Sequence, residues 1–213
     1  MNSTKSSKLI VFEGIDGVGK STLSLSVVDR LRGDGVNAKY FSFPGKEDQA
    51  LGSLVYKIHH NVTSFGLDNM HAASLQLLHI AAHVDSIVNN ILPELERGNL
   101  VVLDRYWWST VAYGVAMGIP YHIIKLMISI EKNYWKGITP DILYLVNRKE
   151  IFNPSSPYDL QLTKVYSQLV NKEKNRYTIN VIDNDYDLQQ VIDPIINEIE
   201  NIFNKVNINV FHN

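Results

Sequence analysis

Short apolar runs alternate along the chain with longer stretches in which apolar residues return every third or fourth position. The run KLIVFE at 8–13 is β-branched and aromatic, meets glycine at once, and reads as a buried parallel strand. After Lys20 the positions Leu23, Val27 and Leu31 recur at four-residue spacing until Gly33 and Gly35, which predicts a helix with a C-terminal stop. VNAKYFSF at 36–43 returns to strand character before Pro44. Helical spacing then predicts a long helical region from about Gly52 to Leu95, with Leu75, Leu78, Ala82, Ile87 and Ile91 supplying apolar faces. NLVVLD at 99–104 is the next buried strand. Helix follows from Ser109 to about Trp135, interrupted around Gly118 and Pro120, then a strand DILYLV after Pro140. A helix over 158–172, a strand TINVI at 178–182 and a helix over 187–203 containing Pro194 complete the pattern. Strands alternating with helices predict a parallel central sheet with helices on both faces, a three-layer α/β fold.

Composition narrows the chemistry. The chain has 213 residues, the size of one ordinary globular domain, and 1–7 and about 204–213 read as loose tails. Twenty Lys+Arg against 22 Asp+Glu leave a net charge of -2, too balanced for a protein that grips long nucleic acid. No cysteine is present, which removes disulfides, thiolate zinc sites and cysteine nucleophiles. No stretch reaches the ~18 apolar residues of a membrane span, and the polar start MNSTKSSK leads into too short an apolar run for a signal peptide. A cytoplasmic protein without a membrane partner is the expectation.

The first strand and the first helix are joined by Gly14, four residues, then Gly19, Lys20 and Ser21, the G-x-x-x-x-G-K-[ST] pattern in the context it requires. Gly14, Gly17 and Gly19 let backbone N–H groups converge on phosphate oxygens beside the helix N-terminus, where Ser21 and Thr22 sit. Lys20 would reach the β and γ phosphates of ATP and the Ser21 hydroxyl would ligate Mg²⁺. Asp104 ends the third strand, where a second carboxylate ligand for Mg²⁺ belongs. The fold class is therefore of the P-loop NTPase type, with ATP as co-substrate and Mg²⁺ as cofactor.

FEGIDGVGKST at 12–22 together with DRYWWSTVAYG at 104–114 resembles the thymidylate kinase family of nucleoside monophosphate kinases. FPGK at 43–46, AAHV at 81–84 and LPELERG at 92–98 fall in that family's order, and DRYWWST is also similar to the mitochondrial type of UMP/CMP kinase. The resemblance implies transfer of the ATP γ-phosphate to a pyrimidine deoxynucleotide, dTMP first, with dUMP, dCMP or UMP/CMP as alternative acceptors. A catalytically weak nucleotide-binding module is the alternative from another class. By the same resemblance Arg105 and Lys46 would hold the acceptor phosphate, Asp16 would contact the sugar 3′ hydroxyl, and Tyr113 would crowd the 2′ position. Glu13 would organise water around Mg²⁺, and Tyr158 would join the acceptor side. Family members are usually homodimers, which makes a homodimer the expectation here.

Three departures from the family pattern are visible. The base-reading arginine falls on His83 and the base-stacking aromatic on His79; a histidine can meet a pyrimidine edge as donor or as acceptor. The lid after the fourth strand shrinks to NRKEIFNPSSP, and the loop residues Asp16, Gly17 and Val18 supply no cation. Arg148, at the end of DILYLV, is then the candidate for the missing charge on the transferring phosphoryl group.

Overall fold

The computed structural model describes residues 8–45, 50–149 and 157–208. Five strands form one sheet: β1 (Lys8–Glu13), β2 (Ala38–Ser42), β3 (Leu100–Asp104), β4 (Ile142–Asn147) and β5 (Thr178–Asp183). Their order is β2-β3-β1-β4-β5 and every pairing is parallel. β1 and β3 are buried along their whole length, as strands covered on both faces must be, which is why they read as unbroken apolar runs. The edge strand β5 has only exposed and half-buried positions.

The register sets the site. Phe12 lies opposite Asp104, Ser42 opposite Asp104 on the other side, and Glu13 opposite Leu145. The polar ends of three strands therefore reach the same carboxyl-end edge of the sheet, where ligands of open α/β sheets bind.

Helix α1 (Lys20–Gly33) follows β1 and buries Leu23, Val27, Val28 and Leu31. The region read as one helical stretch from Gly52 to Leu95 is broken. It comprises α2 (Leu51–His60), a 3₁₀ turn at Val62–Phe65, and α3 (Ala72–Ser86), which runs through a π-type turn at Ile87–Ile91 into α4 (Leu92–Glu96). Asn61 caps the 3₁₀ turn by accepting from Ser64 N–H at 3.3 Å, and Gly66 leaves it with φ 73°, a left-handed stop. Gly52 matters for a different reason: a Cβ there would run into the Pro44 carbonyl, so glycine lets α2 lie directly on the turn after β2.

The remaining helices are α5 (Trp107–Ala116), α6 (Tyr121–Tyr134), α7 (Pro157–Glu173) and α8 (Leu188–Ile208). The break between α5 and α6 falls at Gly118 and Pro120, as the sequence indicates. α8 continues past residue 203, where the reading stops, because neither glycine nor proline ends it before Ile208.

Candidate functional site

The phosphate loop starts where β1 ends. Gly14 has φ 143°, Gly17 φ 83° and Gly19 φ 92°, all in the region that side chains resist. At Gly14 and Gly19 space is also closed, since a Cβ would strike the Val146 carbonyl and the Asn184 amide respectively. Lys20 folds back to donate to Ile15 O at 2.5 Å. Burial, with help from Arg105, lowers its ammonium to about 8, against the pull of Asp104, Asp16 and Glu13.

Ser21 Oγ donates to Asp104 Oδ2 at 2.5 Å, and Tyr40 OH donates to the same oxygen at 3.3 Å. Burial and Asp104 push the Tyr40 phenol up to about 12. Asp104 Oδ1 is buried without a hydrogen-bond partner among the described residues. A spare carboxylate oxygen beside a serine hydroxyl fits Mg²⁺, which keeps most of its shell as water and phosphate. Among the described residues no group of three His, Cys, Asp or Glu could cage a metal.

Arg105 sits immediately after β3 with φ 76°, a strained value for a residue with a side chain, and its N–H donates to Phe12 O at 2.8 Å. That turn sends the guanidinium across to Asp16, with which it forms an ion pair. Tyr113 OH donates to the other Asp16 oxygen at 2.8 Å and accepts from Asp16 N–H at 3.1 Å. Burial works to raise the Asp16 carboxyl, but Arg105, Tyr113 and Lys20 outweigh it and hold the group below its usual value. Three residues distant in the chain, Asp16, Arg105 and Tyr113, are thus brought together.

Glu13 is placed differently from its expected role. It is fully buried and does not line the pocket. Its Oε1 accepts from the N–H groups of Tyr106 (2.7 Å) and Ser109 (3.0 Å) at the start of α5. Its Oε2 accepts from Ser109 Oγ at 2.8 Å, Tyr166 OH at 3.1 Å and Gly14 N–H at 3.3 Å. Burial pushes this carboxyl up, against Arg105 and the hydrogen bonds from Ser109 and Tyr106. Ser109 Oγ also accepts from Arg105 Nη1 at 2.9 Å, so Glu13 ties β1, the loop and Arg105 to α5. Ser109 and Tyr166 were invisible as site residues in the sequence, being a common serine and a tyrosine 153 residues away.

A cavity of about 600 Å³ opens from Lys20, Ser21 and Thr22 past Asp16, Arg105 and Tyr113 to His79 and His83. Tyr158 lines it, as do Tyr56, His59 and His60 of α2, which the sequence did not single out. His79 Nε2 lies 3.1 Å from His59 Nδ1, and burial with His83 beside it lowers His79 to about 3. Arg148 is half-buried after β4 and is not among the lining residues. Its neighbour Lys149 pairs with Asp183 and Asp185 at 3.7 and 3.8 Å. Lys46 lies outside the described residues.

Comparison with known proteins points to one family. The thymidylate kinase family profile matches residues 12–152. A thymidylate kinase of Francisella tularensis subsp. holarctica is 36% identical over 143 residues, 65% of this chain and 64% of that protein. One of Pelodictyon phaeoclathratiforme is 33% identical over 142 residues, 65% of this chain and 60% of that protein. The matches thus span less than two thirds of these curated relatives. The crystal structure of thymidylate kinase from Ehrlichia chaffeensis superposes with a TM-score of 0.70 at 23% identity, covering 91% of this chain and 99% of that one, which shows a shared fold. With the phosphate loop, Asp104 and Arg105 inside the matched stretch, the chain belongs to the thymidylate kinase family.

Proposed function

We propose that this protein transfers the γ-phosphate of Mg-ATP to a pyrimidine deoxynucleoside monophosphate, dTMP first, giving dTDP. The observation that carries this is the Asp16, Arg105 and Tyr113 cluster facing Lys20 across one cavity. A phosphate loop alone fits any nucleotide hydrolase; a second cation and a carboxylate beside it fit a phosphorylated sugar acceptor.

Phosphoryl transfer leaves little covalent work to protein groups, so positioning and charge neutralisation carry the rate. Lys20 holds the donor phosphates and Arg105 the acceptor phosphate, which offsets the repulsion between the two as they approach. Asp16 accepts from the sugar 3′ hydroxyl while Tyr113 occupies space that a 2′ hydroxyl would need. Mg²⁺, held by Asp104 and Ser21, would neutralise charge on the donor phosphates. The relatives named thymidylate kinase support dTMP over dUMP, dCMP and the ribonucleotides.

A homodimer is part of the reading. Leu126 and Ile130, one turn apart on α6, are 62% and 46% exposed, and Leu77 on the neighbouring α3 is 47% exposed. ADP formation with ATP, Mg²⁺ and a panel of dTMP, dUMP, dCMP, UMP and CMP tests the activity. Turnover of dTMP is expected, and ATP binding without turnover of any monophosphate would overturn the proposal.

A further inference from the structure

His83 lines the same cavity as Lys20, and what stands behind His83 is specific. Its ring lies flat on Phe43, with centroids 4.1 Å apart and planes 10° apart. Its Nδ1 is 2.9 Å from Oε2 of Glu131 on α6. Glu131 is completely buried, does not line the cavity, and its other oxygen accepts from Trp135 Nε1–H at 3.4 Å. The stack fixes the plane of the imidazole and the carboxylate fixes its rotation within that plane.

A carboxylate accepts the hydrogen on Nδ1, and in the neutral ring this leaves Nε2 without one, whereas an imidazolium would carry hydrogen on both nitrogens. Carboxylates behind imidazoles set the tautomer in this way in metal sites and in hydrolase triads. The ring nitrogen left for a ligand is Nε2. His79, four residues earlier on α3, spends its own Nε2 on His59.

We propose that Glu131 is a positioning residue that holds the neutral ring of His83 as the Nδ1–H tautomer, so that Nε2 offers a bare lone pair to the acceptor base. That lone pair selects pyrimidines whose N3 carries hydrogen, thymine and uracil, over cytosine, whose N3 is itself a lone pair. The identity of the ligand rests on the monophosphate kinase reading; the fixed tautomer does not. An acceptor facing an acceptor in a buried site leaves both groups unpaired, the situation in which sites discriminate most strongly.

The test compares dUMP with dCMP on the full chain, since neither has a 5-methyl group and they differ only at the base edge in question. In ¹⁵N spectra of the parent, His83 should carry hydrogen on Nδ1, and its Nε2 resonance should move with dUMP and not with dCMP. The kcat/KM ratio of dUMP to dCMP should be at least about tenfold. In Glu131→Gln the carboxamide oxygen takes the Trp135 N–H and the NH₂ faces His83, which moves the ring hydrogen to Nε2. The ratio should then fall to within about twofold or invert, with the ATP KM unchanged, a result that loss of packing alone would not give.

Hydrogen on Nε2 in the parent, or an unaltered ratio in Glu131→Gln, overturns the proposal. Should Glu131→Gln fail to fold, the parent spectra with the two nucleotides still decide. If the parent transfers no phosphate, the kinase reading falls, while dUMP-specific movement of Nε2 upholds the tautomer assignment and its absence overturns it.

Discussion

Lys20 carries the sharpest consequences at the scale of single residues. Its ammonium is buried and sits against Ile15 O, with its pKa near 8 rather than 10.5. Lys20→Ala removes that buried charge, so the melting temperature should hold within a few degrees while turnover falls at least about a hundredfold. Turnover within tenfold of the parent would count against the phosphate role. The lowered pKa also has a direction that can be read by titration. Between pH 8 and 10.5 the unfolded chain holds a proton that the folded chain has lost, so this group's contribution to the stability of the ligand-free protein rises with pH across that window. Bound triphosphate favours the charged form, so ATP affinity should fall as pH rises above 8, approaching about tenfold per pH unit. Calorimetric titration at pH 7, 8 and 9 checks this, and a flat profile would mean that Lys20 does not meet the phosphates as a cation.

Elements were legible where burial is simple and illegible where it depends on a partner. β1, β3 and β4 could be read because a strand covered on both faces becomes an apolar run, as in LVVLD of β3. The break between α2 and α3 was missed because apolar spacing continues across Asn61 and Gly66, whose capping and left-handed roles were the available signals. His59 and His60 enter the cavity only because α2 packs on α3, and Glu131 meets His83 across 48 positions; nothing local marks either. Asp16, Arg105 and Tyr113 were recoverable because their motifs carry them.

The joint between β1 and α5 is open to test. Glu13→Ala leaves the Tyr106 and Ser109 N–H groups buried without an acceptor and should cost about 2–4 kcal/mol, whereas Glu13→Gln keeps an acceptor oxygen and should cost less. Urea denaturation of both variants would measure the difference, and equal losses would show that the N–H bonds are not what matters. Gly52→Ala should likewise force α2 away from Pro44 and lower both stability and acceptor affinity, while an unchanged acceptor KM would separate α2 from the site.

For the whole molecule, the exposed apolar face on α6 predicts self-association. Leu126→Asp with Ile130→Asp should convert a dimer to a monomer in light scattering, and a parent that is already monomeric would remove that part of the proposal. The elements after β4 have a further consequence for the phosphate loop. The family profile stops at residue 152, yet the phosphate loop is braced from beyond it: Tyr166 OH donates to Gly14 O at 3.2 Å, and Asn184 Nδ2 donates to Val18 O at 2.8 Å. Recognisability and mechanical need are therefore distributed differently along the chain. A fragment cut at the border of detectable kinship would keep the signature and lose these two braces. Tyr166→Phe with Asn184→Ala, which leaves every motif residue in place, should weaken ATP binding about tenfold with the acceptor KM little changed.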